Sequence, residues 1–273
     1  MSYADDGAGA PILLVHGWSA HGGFFENLAQ RLGRSHRVLT LTLRAHPGSA
    51  QGSAPLTIDT LADDIAHFVA GLDLRDTVAL GWSMGAMALW AAMPRIGPRI
   101  TALVVEDMGA TLVNDAAWSG GLAGGYQQSD VAATLADART DWPAHVARFA
   151  PKMFAPSVRR EKPDLVAWAT REMSAANSEA MACFWASMAS QDFRTALKAI
   201  KAPMLVVHGA ASLIYSERAT QFVASAAPNC EHVVISGAGH VPHLEAPDAF
   251  FHHVEAFVRT TRRPELKSGG VKS

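Results

Sequence analysis

The chain has 273 residues, and its 23 Lys and Arg against 25 Asp and Glu leave a formal net charge of −2. With 49% hydrophobic and 18% charged residues, it is neither a disordered chain nor a coiled coil, and at this length a core forms without disulfide or metal staples. The near-neutral charge gives no electrostatic reason to expect nucleic acid or an anionic membrane as partner.

Cys183 and Cys230 are the only cysteines; without a C-x-x-C spacing they argue against a disulfide framework and a thiolate metal site. The start, Met1-Ser2-Tyr3-Ala4-Asp5-Asp6-Gly7, has neither the basic nor the apolar region of a signal peptide. No apolar run reaches the roughly 18 residues of a membrane span. These features lead to the expectation of a cytoplasmic protein.

In chain order, the first clear strand is the apolar run at 11–16 (PILLVH), which ends at Gly17 and suits a buried parallel strand. A helix over 24–32 and a strand over 37–43 follow, then a Gly-, Pro- and Ser-rich loop over 44–55. Apolar residues at helical spacing predict a helix over 58–72 with Thr57 as N-cap. The spacing then predicts a strand at 77–80, a helix over 84–93 stopped by Pro94, and a strand at 100–105. Strands at 204–207 and 232–235, with a helix at 216–227 between them, precede a last helix at 246–259. This alternation predicts an α/β fold with a mostly parallel sheet and helices on both faces.

Residues 109–190 break the alternation with helical patterns only, and read as a helical cap inserted over the carboxyl ends of the strands, where open α/β sheets place ligands. The organisation expected is therefore a core at 1–108 and 191–261, a cap at 109–190 and a flexible tail at 262–273. The cap holds Trp118, Trp142, Trp168 and Trp185. Most aromatics there belong to the cap's own core, but these four, with Trp82 and Tyr215, are candidates for a substrate pocket. Gly120-Gly121-Leu122-Ala123-Gly124-Gly125 follows no strand, so it reads as a flexible loop rather than a phosphate loop.

Gly81-Trp82-Ser83-Met84-Gly85 matches G-x-S-x-G between a predicted strand and a predicted helix, the context of a nucleophile elbow. The turn is too tight for bulky flanks, and it lifts the Ser83 hydroxyl above the sheet. The helix start presents the Met84 N–H to developing negative charge. A serine hydroxyl needs a base; His240, after the last strand in Gly237-Ala238-Gly239-His240, is the candidate, with His243 given a structural role. His16-Gly17-Trp18 ends the first strand, where the Trp18 N–H is the second candidate oxyanion donor and His16 braces the loop. No H-x-x-x-H or H-E-x-x-H spacing suggests zinc, so no metal or cofactor is expected.

Leu14-Val15-His16-Gly17-Trp18, the Ser83 elbow, Leu205-Val206-Val207-His208-Gly209 and the run from Gly239 to Pro247 together resemble the α/β-hydrolase superfamily over about residues 11–259. Many members carry the acid of the catalytic triad shortly after the strand ending His208-Gly209. Here Ser212 stands in that place, and a hydroxyl cannot stabilise an imidazolium by charge. The chain is similar to an esterase/thioesterase branch whose acid follows the preceding strand, before a later G-x-x-S-x-Y segment. That likeness makes Asp107 the acid, with Glu106 and Glu217 as alternatives. Successive strand-end residues point to opposite sides, so Glu106 and Asp107 cannot both face His240.

The loop Arg44-Ala45-His46-Pro47-Gly48-Ser49 has Ala45 and Pro47 where relatives carry glycine. It is expected to shape the edge of the site rather than act in catalysis. The resemblance implies a serine hydrolase acting on an ester, thioester or lactone, with a small-molecule substrate and, as is common in such enzymes, a homodimer. The tryptophan-rich cap suggests that this substrate is apolar or aromatic. Two other readings stand beside it: a cofactor-free dioxygenase of the same fold, which would usually carry His where this chain has Met84, and a low-turnover ligand receptor.

Overall fold

The computed structural model describes residues 1–261, so the tail expected at 262–273 lies outside the described residues. In chain order the elements are β1 (Ser2–Gly7), β2 (Pro11–Val15), α1 (Glu26–Leu32), β3 (Arg37–Thr42), α2 (Ile58–Gly71), β4 (Thr77–Trp82), α3 (Met84–Ile96) and β5 (Ile100–Glu106). Five helices follow: α4 (Gln128–Thr140), α5 (Trp142–Phe149), α6 (Pro156–Glu161), α7 (Pro163–Ser174) and α8 (Ser178–Ala189). The chain then returns to the sheet through β6 (Met204–Gly209), α9 (Glu217–Ala226), β7 (Cys230–Ile235), α10 (Pro242–Glu245) and α11 (Pro247–Thr261).

The seven strands form one sheet in the order β1-β3-β2-β4-β5-β6-β7. Only β1 pairs antiparallel, against β3; the other pairs are parallel. Every residue of β4 and β6 is buried, which is why their sequences are continuous apolar runs rather than alternating ones. Two pairs of helices flank the sheet: α1 with α11, and α2 with α3. Between β5 and β6 the described residues form no strand, only isolated bridges.

The structure departs from the sequence expectations in three places. β1 was not anticipated because SYADDG is polar and exposed at every position. Its backbone pairs with β3, and Arg37 forks onto Asp5 at 2.9 and 2.6 Å across that pair. Pro94 does not stop α3, which runs on to Ile96. Proline removes one donor, to the carbonyl four residues back, and a last turn can absorb that loss. The Gly120–Gly125 loop is pinned rather than free. Gly121 N donates to Asn114 Oδ1 (2.9 Å), Leu122 N to Leu112 O (2.8 Å) and Ala123 N to Ile214 O (2.9 Å).

Candidate active site

The elbow forms at the join of β4 and α3. Ser83 has φ 53° and ψ −120°, a left-handed conformation that costs a non-glycine residue about 1–3 kcal/mol. Its flanking glycines are required by contact. A Cβ on Gly85 would lie 2.1 Å from Val15 O, and one on Gly81 would lie 2.5 Å from Ala86 N. Met84 is the first residue of α3, so its N–H has no acceptor within the helix. The loop after β2 runs beside the serine, since a Cβ on Gly17 would sit 3.3 Å from Ser83 Cβ. His16 braces that loop: its Nδ1 is 2.8 Å from Gly17 O, and its Nε2 accepts from Leu43 N at 3.0 Å.

The two acids at the end of β5 separate as strand alternation requires. Asp107, fully buried, places Oδ2 2.6 Å from His240 Nδ1. Glu106, also fully buried, instead accepts from His243 N (2.9 Å) and lies 2.8 Å from His243 Nδ1. The His243 ring packs between Phe25 and Trp82, with centroids 4.7 and 5.3 Å away. Glu217 is exposed at the start of α9, apart from this cluster.

Asp107 has two further partners: Oδ1 is 2.5 Å from His208 Nδ1, and Ser212 Oγ donates to Oδ2 at 2.7 Å. Burial pushes this carboxyl up, but the hydrogen bonds from His208 and His240 outweigh it and hold the group below its usual value of 3.8. Burial, with the Asp107 charge second, pushes the Tyr215 phenol well above its usual value.

The loop bearing His240 is held by Trp82 and by two groups not singled out from the sequence, Glu245 and Met153. Glu245 accepts from Ala155 N (2.7 Å), Gly239 N (2.8 Å) and Val241 N (3.2 Å). His240 N donates to Met153 O, and Trp82 Nε1 donates to His240 O at 3.0 Å. The signal was the carboxylate in His243-Leu244-Glu245, one helical turn past the histidine loop. Its target, Ala155, is 90 residues away and was not legible.

Ser83 and His240 line one narrow cavity of about 20 Å³. That is room for about one water. Trp18, Trp82, Phe149, Trp185 and Tyr215 are among its apolar walls, so α5 and α8 form part of the roof. Of the six aromatics singled out as pocket candidates, Trp82, Trp185 and Tyr215 are in the wall. The other three are not. Trp142 lies behind Trp18, 5.3 Å between rings; Trp168 packs on Phe24; Trp118 bonds Thr111 and packs on Phe222. An amphipathic aromatic fills core gaps as readily as it lines a site, and only the fold distinguishes the two. A second cavity of about 340 Å³ shares Leu122, Phe149, Trp185 and Ile214 with the first.

A model described as the alpha/beta hydrolase family matches residues 12–253. The chain is 23% identical over 265 residues to the pimeloyl-[acyl-carrier protein] methyl ester esterase of Nitrosospira multiformis, covering 93% of this chain and 96% of that one. It is 25% identical over 228 residues to 3-oxoadipate enol-lactonase 2 of Acinetobacter baylyi, covering 81% and 78%. Among solved structures, an esterase from Exiguobacterium antarcticum superposes with a TM-score of 0.87 at 20% identity, over 94% of each chain.

Proposed function

The chain belongs to the alpha/beta hydrolase family, and we propose that it hydrolyses carboxylic esters or lactones through Ser83, His240 and Asp107. The observation that carries this reading is the buried 2.6 Å contact between Asp107 Oδ2 and His240 Nδ1, with Ser83 at a left-handed elbow in the same cavity. Asp107 fixes the tautomer in which His240 Nε2 is free to take a proton. Ser83 Oγ attacks the acyl carbon as His240 accepts its proton. The N–H groups of Met84 and Trp18 receive the oxyanion. His240 then protonates the leaving alkoxide, and the acyl-enzyme is hydrolysed by water activated at the same imidazole.

The apolar wall fits an apolar acyl group or a small lactone ring. The cavity is too small for either without movement of the wall it shares with the outer cavity, so substrate enters past Phe149 and Trp185. The names of the two curated relatives, a methyl ester esterase and an enol-lactonase, support the class. The test is turnover of p-nitrophenyl esters from acetate to decanoate, and of small lactones, by the wild type and Ser83→Ala. Turnover by the wild type that is lost in Ser83→Ala is expected. A folded wild type that turns over none of these substrates, or a Ser83→Ala variant that keeps the rate, would overturn the proposal.

A further inference from the structure

We propose that His208 is a positioning residue for this reaction, a second imidazole on the same carboxylate that fixes the plane of Asp107 for His240; the inference rests on the hydrolase reading above. A carboxylate held by one hydrogen bond can turn about its last side-chain torsion, which is broad and roughly two-fold. Asp107 is held by three. His208 Nδ1 takes Oδ1 at 2.5 Å, while His240 Nδ1 and Ser212 Oγ share Oδ2 at 2.6 and 2.7 Å. Both oxygens are therefore pinned, and the orientation that faces His240 is the one retained when that imidazole gains the proton of Ser83. The backbone adds to this restraint: Asp107 has φ 44°, and its N–H donates to Val207 O beside His208.

The groups around His208 come from both neighbouring strands. Just after β5 it meets Asp107, and from β7 the His232 ring stacks at 6.5 Å and 23°. His232 Nε2 is 3.1 Å from Thr220 Oγ1, and Glu217 and Tyr215 complete the titratable groups that act on this cluster. Burial holds His232 below its usual value. His208 is the penultimate residue of β6, whose residues are all buried. The carboxylate supplied just after β5 is thus met by donors on β6 and the loop after it, His208 and Ser212.

The test is a double-mutant cycle. His208→Leu and His208→Asn are made in the wild type and in Asp107→Asn, with kcat and KM measured on the best p-nitrophenyl ester. His208→Leu is expected to lower kcat about 10- to 100-fold with KM within about twofold, as for an interaction made in the transition state. His208→Asn places an amide N–H near the position of Nδ1 and should recover kcat to within about threefold of the wild type. In the Asp107→Asn background His208→Leu should change the residual rate by less than about threefold, because the two act as one unit.

An undiminished kcat in His208→Leu, or an equal loss in both backgrounds, overturns the proposal. Should His208→Leu not fold, proton NMR of the wild type decides. Two exchange-protected imidazole N–H resonances on Asp107 are expected, one of them lost in His208→Asn. A single resonance, unchanged in that variant, refutes the assignment. A Ser83→Ala enzyme that keeps full activity would instead sink the hydrolase reading, whatever His208 does.

Discussion

Replacing Asp107 by Asn is the sharpest perturbation of this site. Three donors converge on the carboxylate, from His240, His208 and Ser212. An amide offers one oxygen. With that oxygen toward His240, its NH₂ faces the N–H of His208. With the oxygen toward His208, the NH₂ faces His240 Nδ1. In the second arrangement His240 keeps its bond only by moving its proton to Nε2, and the base can then no longer accept from Ser83. In both, the negative charge that stabilises the imidazolium is gone. The loss expected in kcat is about 10³- to 10⁴-fold with KM little changed. Ser212→Ala removes one donor and keeps the charge, so about tenfold or less is expected. Steady-state hydrolysis of a p-nitrophenyl ester, on variants shown folded by circular dichroism, measures both. Two results would refute the reasoning: Asp107→Asn keeping more than a tenth of the wild-type kcat, or folded Glu106→Gln losing as much as Asp107→Asn.

Three further outcomes follow from the geometry. Gly85→Ala drives a methyl group to 2.1 Å from Val15 O, and should cost about 3 kcal/mol or more, seen as a fall in Tm of roughly 6–12 °C; a Tm within about 2 °C of wild type would contradict it. Trp185→Ala removes a wall shared by the two cavities, along with the bond from its Nε1 to Tyr126 OH (2.9 Å). It should raise kcat/KM for decanoate relative to acetate esters about tenfold, and an unchanged chain-length profile would rule out that entry route. Because Asp107 is held below 3.8 in the folded chain, its contribution to stability is complete above that pH and fades as pH falls through the folded value. The Tm difference between wild type and Asp107→Asn should accordingly narrow between pH 5 and 3; a difference that widens there would reverse the assigned sign.

Much of the site was legible because local backbone rules wrote it. G-x-S-x-G between a strand and a helix implies a turn in which only glycine fits at Gly81 and Gly85, and the contacts at both positions show why. Alternation along a strand separates Glu106 from Asp107 without knowledge of their partners. Ala45, where the family resemblance implies glycine, takes φ 57°, the left-handed region that glycine favours. Thr57 caps α2 through Thr60 N as its residue type and position suggest.

What the sequence hid was convergence at long range. Asp107 meets His208, Ser212 and His240 across 101, 105 and 133 residues. No pattern on one strand records which side chains of its neighbours will share a carboxylate. Trp118, Trp142 and Trp168 read no differently from Trp185, yet only Trp185 reaches the cavity. β1 escaped notice because backbone pairing, not burial, holds it to β3. The sequence by itself determined the order of strands and helices from β2 onward outside the cap, the elbow, and that Glu106 and Asp107 would take opposite faces, since these depend on residues within a turn or two of one another. The tertiary structure alone decided which donors meet Asp107 and which aromatics roof Ser83, because those contacts exist only once the parallel strands are laid side by side and the helices between β5 and β6 are packed over their ends.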